Sequence, residues 1–299
     1  MAAVTVRGLT KEYGSLRAVD DVSFDVGEGE VYGLLGHNGA GKSTIVEILE
    51  GHRSRTSGDV DVLGHDPGHR GRAMRDQIGI VLQASGIEAE LTVGEAIRIY
   101  GLSYRRTRPL DELVGLVGLG HKVDARIGTL SGGQRRRLDL ALGIVGYPEL
   151  LFLDEPTTGF DPAARREAWL LIEQLCAGGT TVLLTTHYLD EAERLAGRVG
   201  VLAAGRLVAE GAPSDLVAGV AGTVVRFAVE AASAGSLPLP AGATVTGDRV
   251  EFTTTTPTAD VHAVTAWALE RDVELIGLTV SRPSLEDAFL QLASESQAP

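Results

Sequence analysis

A glycine-rich segment near the start of the chain has the residue types and the spacing that bind phosphate. Residues 36–44 have the order Gly-His-Asn-Gly-Ala-Gly-Lys-Ser-Thr and fit the pattern G-x-x-x-x-G-K-[ST]. Glycines let the backbone turn its N–H groups toward phosphate oxygens, Lys42 adds a positive charge, and the Ser43 hydroxyl is a ligand for Mg²⁺. We therefore predict that the phosphates of a nucleotide are bound by Gly36, His37, Asn38, Gly39, Ala40, Gly41, Lys42, Ser43 and Thr44.

The segments on either side of this loop predict the elements that position it. Val31–Leu35 is an apolar run typical of a buried strand, and Ser43 to Glu50 is typical of a helix that ends at Gly51. The N-terminus of a helix carries a partial positive charge, which favours a phosphate group there. The alternative is a glycine-rich turn with a chance lysine, and the order strand, loop, helix argues against it.

A second segment, Leu130–Gln134, has the order Leu-Ser-Gly-Gly-Gln. Ser131 is a good N-cap for a helix that we predict from Gln134 to about Val145. An uncovered helix N-terminus with a serine hydroxyl and glycine N–H groups is also an anion site, so the two interpretations are compatible. The arginines at 135–137 are ambiguous. They could attract phosphate or a partner, but a solvated helix face explains at least one of them.

Polar residues follow three segments that are typical of buried strands. Asp154 and Glu155 follow Leu150–Leu153, whose four apolar residues suit a strand buried on both faces of a parallel sheet. Ligands bind at the carboxyl ends of such strands. In the same way Gln83 follows an apolar run at 78–82, and His187 follows the sequence Thr-Val-Leu-Leu-Thr-Thr at 181–186, which also predicts a buried strand. The alternatives are a solvated acidic strand end for the two acids and a core position for the histidine. Only the order of the motifs along the chain favours a functional role for these residues.

As a set, these motifs resemble the ATP-binding-cassette (ABC) transporter family, whose signature is the Leu-Ser-Gly-Gly-Gln pentapeptide. The resemblance covers about Val4 to Val217 and implies an ATP hydrolase that uses ATP and Mg²⁺. It implies that Glu155 polarises the attacking water and that Lys42 and His187 contact the γ-phosphate. It implies Mg²⁺ contacts for Ser43, Asp154 and Gln83, with Gln83 also reaching the attacking water, and adenine stacking for Tyr13.

The resemblance also implies a head-to-tail homodimer that forms on ATP binding. In that arrangement one chain's signature residues contact the nucleotide held by the other; they are Ser131, Gly132, Gly133 and Gln134. Asp161 matches a loop that crosses the dimer interface. Phe160 stands where the family usually has leucine, which leaves the fine packing of that loop open.

Composition limits the class of protein and its partners. The net charge of −13 argues against nonspecific nucleic-acid binding, which needs a basic surface. No apolar run approaches the ~18 residues that span a bilayer, and the N-terminus has the pattern of a first strand rather than a signal peptide. The lone Cys176 suits a reducing compartment. We therefore expect a cytoplasmic protein, and the resemblance implies that it is held on the inner face of the cell membrane through separate transmembrane permease subunits.

The pattern of elements predicts an α/β fold with a P-loop NTPase core. We expect a mostly parallel sheet with helices on both faces, an N-terminal antiparallel sheet, and a helical subdomain at about 85–145. The ABC nucleotide-binding domain is predicted at 1–218. A small α+β domain is predicted at 223–299, with a possible role in regulation or dimer contacts or no separate role.

The function predicted from these patterns is that of the ATP-hydrolysing subunit of an ABC exporter, moving a drug or another hydrophobic small molecule. The stretch Arg282–Phe289 is similar to the ending of ATPase subunits of drug-resistance exporters. Two alternatives stay open. One is a soluble ABC ATPase that acts on ribosomes or DNA, and the other is a nucleotide-sensing regulatory module that does not turn over ATP.

Overall fold

The computed structural model describes residues 2–69, 71–81, 86–219, 222–230 and 237–295. These residues form two compact units that divide between Pro213 and Ser214. The first unit joins parallel and antiparallel sheets with helices, and the second is an antiparallel sheet with three helices among the described residues, the first of which begins at the boundary. The architecture confirms the predicted α/β fold.

The strands of the first unit are β1 (Ala2–Tyr13), β2 (Leu16–Gly27), β3 (Val31–Leu35), β4 (Ser57–Val62), β5 (Ile78–Val81), β6 (Leu150–Asp154), β7 (Thr181–Thr186), β8 (Arg198–Ala203) and β9 (Arg206–Gly211). The helices up to the second unit are α1 (Lys42–Leu49), α2 (Arg72–Gln77), α3 (Val93–Gly101), α4 (Leu110–Leu116), α5 (Gly132–Ile144), α6 (Pro162–Ala177), α7 (Leu189–Leu195) and α8 (Pro213–Gly219). Between 86 and 130 the described elements are helical, as the pattern predicted.

The central sheet has the strand order β5-β6-β7-β3-β8-β9. Its pairs are parallel except for β8 and β9, which form an antiparallel hairpin around Gly205. Every residue of β3 and β7 is buried, which explains why these strands are continuous apolar or threonine runs rather than alternating ones. The carboxyl ends of β3, β6 and β7 consequently meet at one edge of the sheet.

The N-terminal sheet has the order β2-β1-β4 and is antiparallel. Along β2 the buried Val22, Phe24 and Val26 alternate with more accessible polar residues, as expected for a sheet with one face toward the core. Phe24 stacks on Tyr32 of β3, with ring centroids 5.2 Å apart. This contact places the two sheets in one hydrophobic core.

Helix α5 packs directly on β5 without intervening side chains. A Cβ atom added at Gly79 of β5 would lie 2.0 Å from the carbonyl oxygen of Gly143 on α5. A Cβ atom added at Gly143 would lie 2.4 Å from Val81 Cγ2. Only glycine permits this approach at either position, so the two backbones are in contact.

The second unit contains β10 (Thr223–Ala228), β11 (Thr244–Thr246), β12 (Arg249–Thr254), α9 (Pro257–Glu270), β13 (Ile276–Ser281) and α10 (Leu285–Glu295). Its sheet has the order β11-β12-β10-β13. A separate core forms between the sheet and Val264 of α9; its other members include Val225, Phe227, Val250 and Phe252. Helix α9 begins at Pro257, and proline suits the first helical position.

Glu50, at the C-terminal end of α1, is an acid in an apolar place. It is 4% exposed, and its Oε2 lies 3.1 Å from Nδ1 of His52. Burial, with smaller contributions from the charges of Asp154 and Glu47, raises the pKa of Glu50 to about 8. The folded chain therefore retains a proton that the unfolded chain loses at lower pH.

We expect Glu50→Gln to change how stability depends on pH. Between pH about 4.5 and about 8 the unfolded Glu50 loses its proton while the folded Glu50 keeps it, so the parent's stability falls as pH rises. Glutamine has no proton to lose, so this fall is absent in the variant. As pH rises, the unfolding free energy of the variant relative to the parent should increase by on the order of a few kcal/mol. Thermal melts from pH 5 to pH 8.5 measure it, and an offset that is constant over this range would contradict the assignment.

Because each unit has its own hydrophobic core, we predict that the first unit folds without the second. The predicted boundaries 1–218 and 223–299 remain predictions. We expect a truncated chain of residues 1–222 to melt cooperatively and to be stabilised by Mg-ATP, since the phosphate loop lies upstream. A chain of residues 1–205 is the control, because it loses β9 and its pairing with β8. Aggregation of the longer chain would show that the remaining residues complete its core.

Candidate functional site

A cavity of about 790 Å³ lies at the carboxyl ends of β3, β6 and β7. It brings together the predicted loop, both predicted acids and the predicted histidine; its lining is Ala18, His37, Asn38, Gly39, Gly41, Lys42, Ser43, Thr44, Asp154, Glu155, Thr158 and His187. The convergence follows from the parallel pairing of the strands, whose carboxyl ends share one edge.

The loop between β3 and α1 has a backbone that requires glycine. Gly41 has a φ of +105°, and a Cβ atom there would lie 2.6 Å from the carbonyl oxygen of Ala18. A Cβ atom at Gly36 would lie 2.7 Å from the carbonyl oxygen of Leu202. The loop is therefore held against neighbouring backbone, with its last residues leading into α1 at the edge of the cavity.

Lys42 places a buried cation beside the loop. It is the first residue of α1, and its ammonium group donates hydrogen bonds to the carbonyl oxygens of Gly36 and, at 3.1 Å, His37. Burial lowers the pKa of Lys42, while the nearby charges of Glu155 and Asp154 act in the opposite direction. The ammonium group is thus fixed between the loop and the acidic strand end.

Asp154 is oriented by the neighbouring strand. It ends β6 opposite Thr185 of β7, and the Thr185 hydroxyl donates a hydrogen bond to Asp154 Oδ1. The Ser43 hydroxyl lines the same cavity. A hydroxyl and a carboxylate are hard oxygen donors, the kind that Mg²⁺ prefers, so the side chains present here fit that ion.

Glu155 has an unusual backbone and a firmly held carboxylate. Its φ of +48° lies in the left-handed region, which non-glycine residues seldom adopt and which is often found at functional sites. Glu155 Oε1 lies 2.9 Å from Nδ1 of His187, and Oε2 accepts a hydrogen bond of 3.3 Å from Thr158. The Glu155 N–H group donates to the carbonyl oxygen of Thr185 at 3.0 Å. The side chain is therefore directed into the cavity beside the histidine.

The signature residues form the N-terminus of α5, and the lining of the cavity does not include them. Ser131 caps the helix by accepting from the Gln134 N–H group at 3.2 Å, and Gln134 Oε1 accepts from the Ser131 N–H group at 3.0 Å. The predicted capping role is confirmed. Ser131 and Gly132 are exposed at the helix N-terminus.

The other candidate residues lie elsewhere. Tyr13 is at the end of β1 with Lys11 and Arg53 over its ring, and is not among the residues that line the cavity. Gln83 lies outside the described residues. Asp161 caps α6 by accepting from the N–H groups of Ala163 and Ala164, and these bonds lower the pKa of Asp161.

Three residues that contact the acidic strand end were not predicted to do so. Thr185 and Thr158 hold the two carboxylates, and their contacts depend on strand register and loop packing that a single sequence does not specify. Arg136 is 6% exposed, although we left the arginines at 135–137 ambiguous. Helical spacing gave a signal: Leu140 and Gly143, four and seven residues further along, lie on the buried side of α5 too.

Comparison with known proteins identifies the family. Residues 19–158 match the ABC transporter family, and residues 223–284 match the C-terminal domain of ABC transporter domain-containing-protein-like proteins. A daunorubicin resistance ATP-binding protein of Streptomyces coeruleorubidus is 38% identical over 99% of this chain and 97% of its own length. The Nod factor export ATP-binding protein I of Rhizobium meliloti is 46% identical over 72% of this chain and 66% of its own length.

Solved structures agree. An ATP-binding subunit of an ABC transporter superposes with a TM-score of 0.68 and 27% identity, covering 73% of this chain and 92% of that one. A bacterial ABC transporter cassette described as dimeric has a TM-score of 0.62 and 25% identity, over 70% of this chain and 98% of that one. Similarity along nearly the whole chain, with this cavity in this fold, leads to one assignment: the chain belongs to the ABC transporter family as an ATP-binding and ATP-hydrolysing subunit.

Proposed function

We propose that this protein drives the export of a hydrophobic small molecule through separate membrane subunits. The observation that carries the proposal is the similarity to a daunorubicin resistance ATP-binding protein over 99% of the chain, second unit included. A Nod factor export protein supports the same direction of transport. In the described residues no helix is long and apolar enough to cross a membrane. We place the protein on the inner face of the cell membrane, held by its partner subunits.

The cavity supports hydrolysis in which the chain positions phosphate and water. We infer that the loop N–H groups and Lys42 hold the β- and γ-phosphates of ATP, and that His187, which lines the same cavity, contacts the γ-phosphate. Glu155 accepts a hydrogen bond from the attacking water and takes its proton. Ser43 and Asp154 would hold Mg²⁺, which neutralises phosphate charge when bound.

The second half of each ATP site comes from another copy of the chain. The N-terminus of α5 presents the Ser131 hydroxyl and glycine N–H groups, a suitable anion site, away from the cavity of its own chain. A head-to-tail homodimer would bring this end to the partner's γ-phosphate. Such a dimer closes on ATP and reopens after hydrolysis, which supplies the movement that the membrane subunits use.

We expect Glu155→Gln to trap an ATP-bound dimer. Glutamine keeps the shape of the side chain but cannot take a proton, so turnover stops while both phosphate-contacting segments remain. Size-exclusion chromatography with Mg-ATP should show a dimer, and a phosphate-release assay should show no hydrolysis. Lys42→Ala is the contrast: it loses a charged contact to phosphate worth on the order of 2–3 kcal/mol and should stay monomeric. A monomeric Glu155→Gln variant, or one that turns over at the parental rate, removes Glu155 from this role.

A cleft of about 560 Å³ beside the helical region suits a membrane partner. Its lining includes the exposed Arg72 and Arg75 of α2 and the aromatic Tyr100 and Tyr104. Asp76, the acid of α2, pairs with Arg105 at 2.9 Å. Cations and aromatic rings in one cleft, on a chain of net charge −13, favour an acidic amphipathic segment of the membrane subunit.

Charge reversal of this cleft should separate hydrolysis from export. We expect Arg72→Glu with Arg75→Glu to hydrolyse ATP at the parental rate in solution but to fail in binding the membrane subunit. Cells that co-express the membrane subunit should then accumulate daunorubicin as cells with Glu155→Gln do. Arg249→Glu, an exposed arginine of the second unit, is the matched control and should export normally. Normal export by the double reversal would exclude this cleft, and equal accumulation with and without the parent protein would exclude drug export.

A further inference from the structure

We propose that Arg136 is a positioning residue that sets the backbone conformation of Glu155. The inference rests on the proposed role of Glu155 in hydrolysis. It means that a residue of α5, the signature helix, orients the Glu155 carboxylate in the cavity of the same chain. The carrying observation is a set of hydrogen bonds from one guanidinium group to consecutive carbonyl groups.

The Arg136 guanidinium group donates to the backbone at the end of β6. Its Nη2 donates to the carbonyl oxygens of Asp154 and Glu155, each at 2.7 Å. Its Nε donates to the carbonyl oxygen of Pro156 at 3.0 Å. The rigid fork of arginine donors fits such a cluster of acceptors, and hydrogen bonds from a charged donor are among the stronger ones.

The carbonyl groups of Asp154 and Glu155 belong to the two peptide groups on either side of the Glu155 Cα atom. The orientation of the preceding peptide determines φ of Glu155, and the orientation of the following one determines ψ. When both carbonyl oxygens converge on a single Nη2, the chain between them must turn sharply. Glu155 makes this turn with a φ of +48°. A left-handed non-glycine residue is costly and persists only where its surroundings hold it, and Arg136 supplies such a hold.

The environment of Arg136 distinguishes it from its neighbours. Arg136 is 6% exposed, and its Nη1 lies 3.9 Å from the buried Asp139. Burial lowers the pKa of Arg136, opposed by the charges of Asp139 and the acids at the end of β6. Arg137, the next residue, instead pairs at 2.6 Å with Glu167, whose side chain is largely exposed. Arg136 is therefore buried and bound to backbone carbonyls at the acidic strand end, whereas Arg137 forms an ion pair at the surface.

The test compares three variants of the full-length protein. Arg136→Gln removes the charge and the fork, and Arg136→Lys keeps a charge near Asp139 but lacks donors spaced to reach all three carbonyls. Arg137→Gln is the control on the same helix. We expect both Arg136 variants to lose turnover on the order of 10- to 100-fold, with ATP affinity and KM unchanged, because the carboxylate is misplaced and the phosphate loop is not. Arg137→Gln should match the parent.

A double variant gives a measurement that general destabilisation would not reproduce. If Arg136 acts only through Glu155, then Arg136→Gln combined with Glu155→Gln should still form the Mg-ATP dimer that Glu155→Gln forms alone, because the phosphate-contacting segments do not depend on the Glu155 carboxylate. Parental turnover in both Arg136 variants overturns the inference, as does loss of the Mg-ATP dimer in the double variant or a parallel loss of ATP affinity in Arg136→Lys. If Arg136→Gln does not fold, Arg136→Lys decides. Unchanged turnover in Glu155→Gln would instead refute the proposed role of Glu155.

Discussion

Parallel pairing of β6, β7 and β3 is the constraint on which the rest of the first unit depends. Because these strands run in one direction, their carboxyl ends deliver Asp154, His187 and the phosphate loop to one edge of the sheet. Burial of the strands on both faces keeps that edge rigid, since apolar and threonine side chains pack above and below it. The position of the cavity is therefore determined by sheet topology, and contacts from neighbouring elements then orient its side chains.

The features that were predictable from the sequence are those encoded over short distances. The phosphate loop, the acids after β6 and the histidine after β7 each follow an apolar run, so strand and ligand position could be inferred together. The contacts of Thr185 with Asp154 and of Arg136 with the Glu155 carbonyl depend on which strand and helix become neighbours. A single sequence does not contain that information. Gln83 stays a prediction, and adenine stacking by Tyr13 gains no support from the cavity lining.

The signature helix combines two functions, of which the sequence indicated only the first. Its first residues are an exposed, reciprocally capped N-terminus, while its second turn binds the backbone under Glu155. In a head-to-tail dimer the first would contact the partner's nucleotide and the second the chain's own acid. One rigid helix would thus link two ATP sites. A soluble ATPase or a regulatory module could share this arrangement, and full-length similarity to a drug-resistance protein is what favours export.

The glycine contact between α5 and β5 limits how this protein can be recombined with its relatives. Gly79 and Gly143 lie backbone to backbone, so even one added methyl group on either side would separate helix and strand. A chimaera that takes α5 from another transporter keeps Gly79 of this chain, and the incoming helix must also have a glycine at the position of Gly143. The two glycines therefore behave as one unit of exchange, and a graft that carries one without the other would tilt the signature helix before any nucleotide binds.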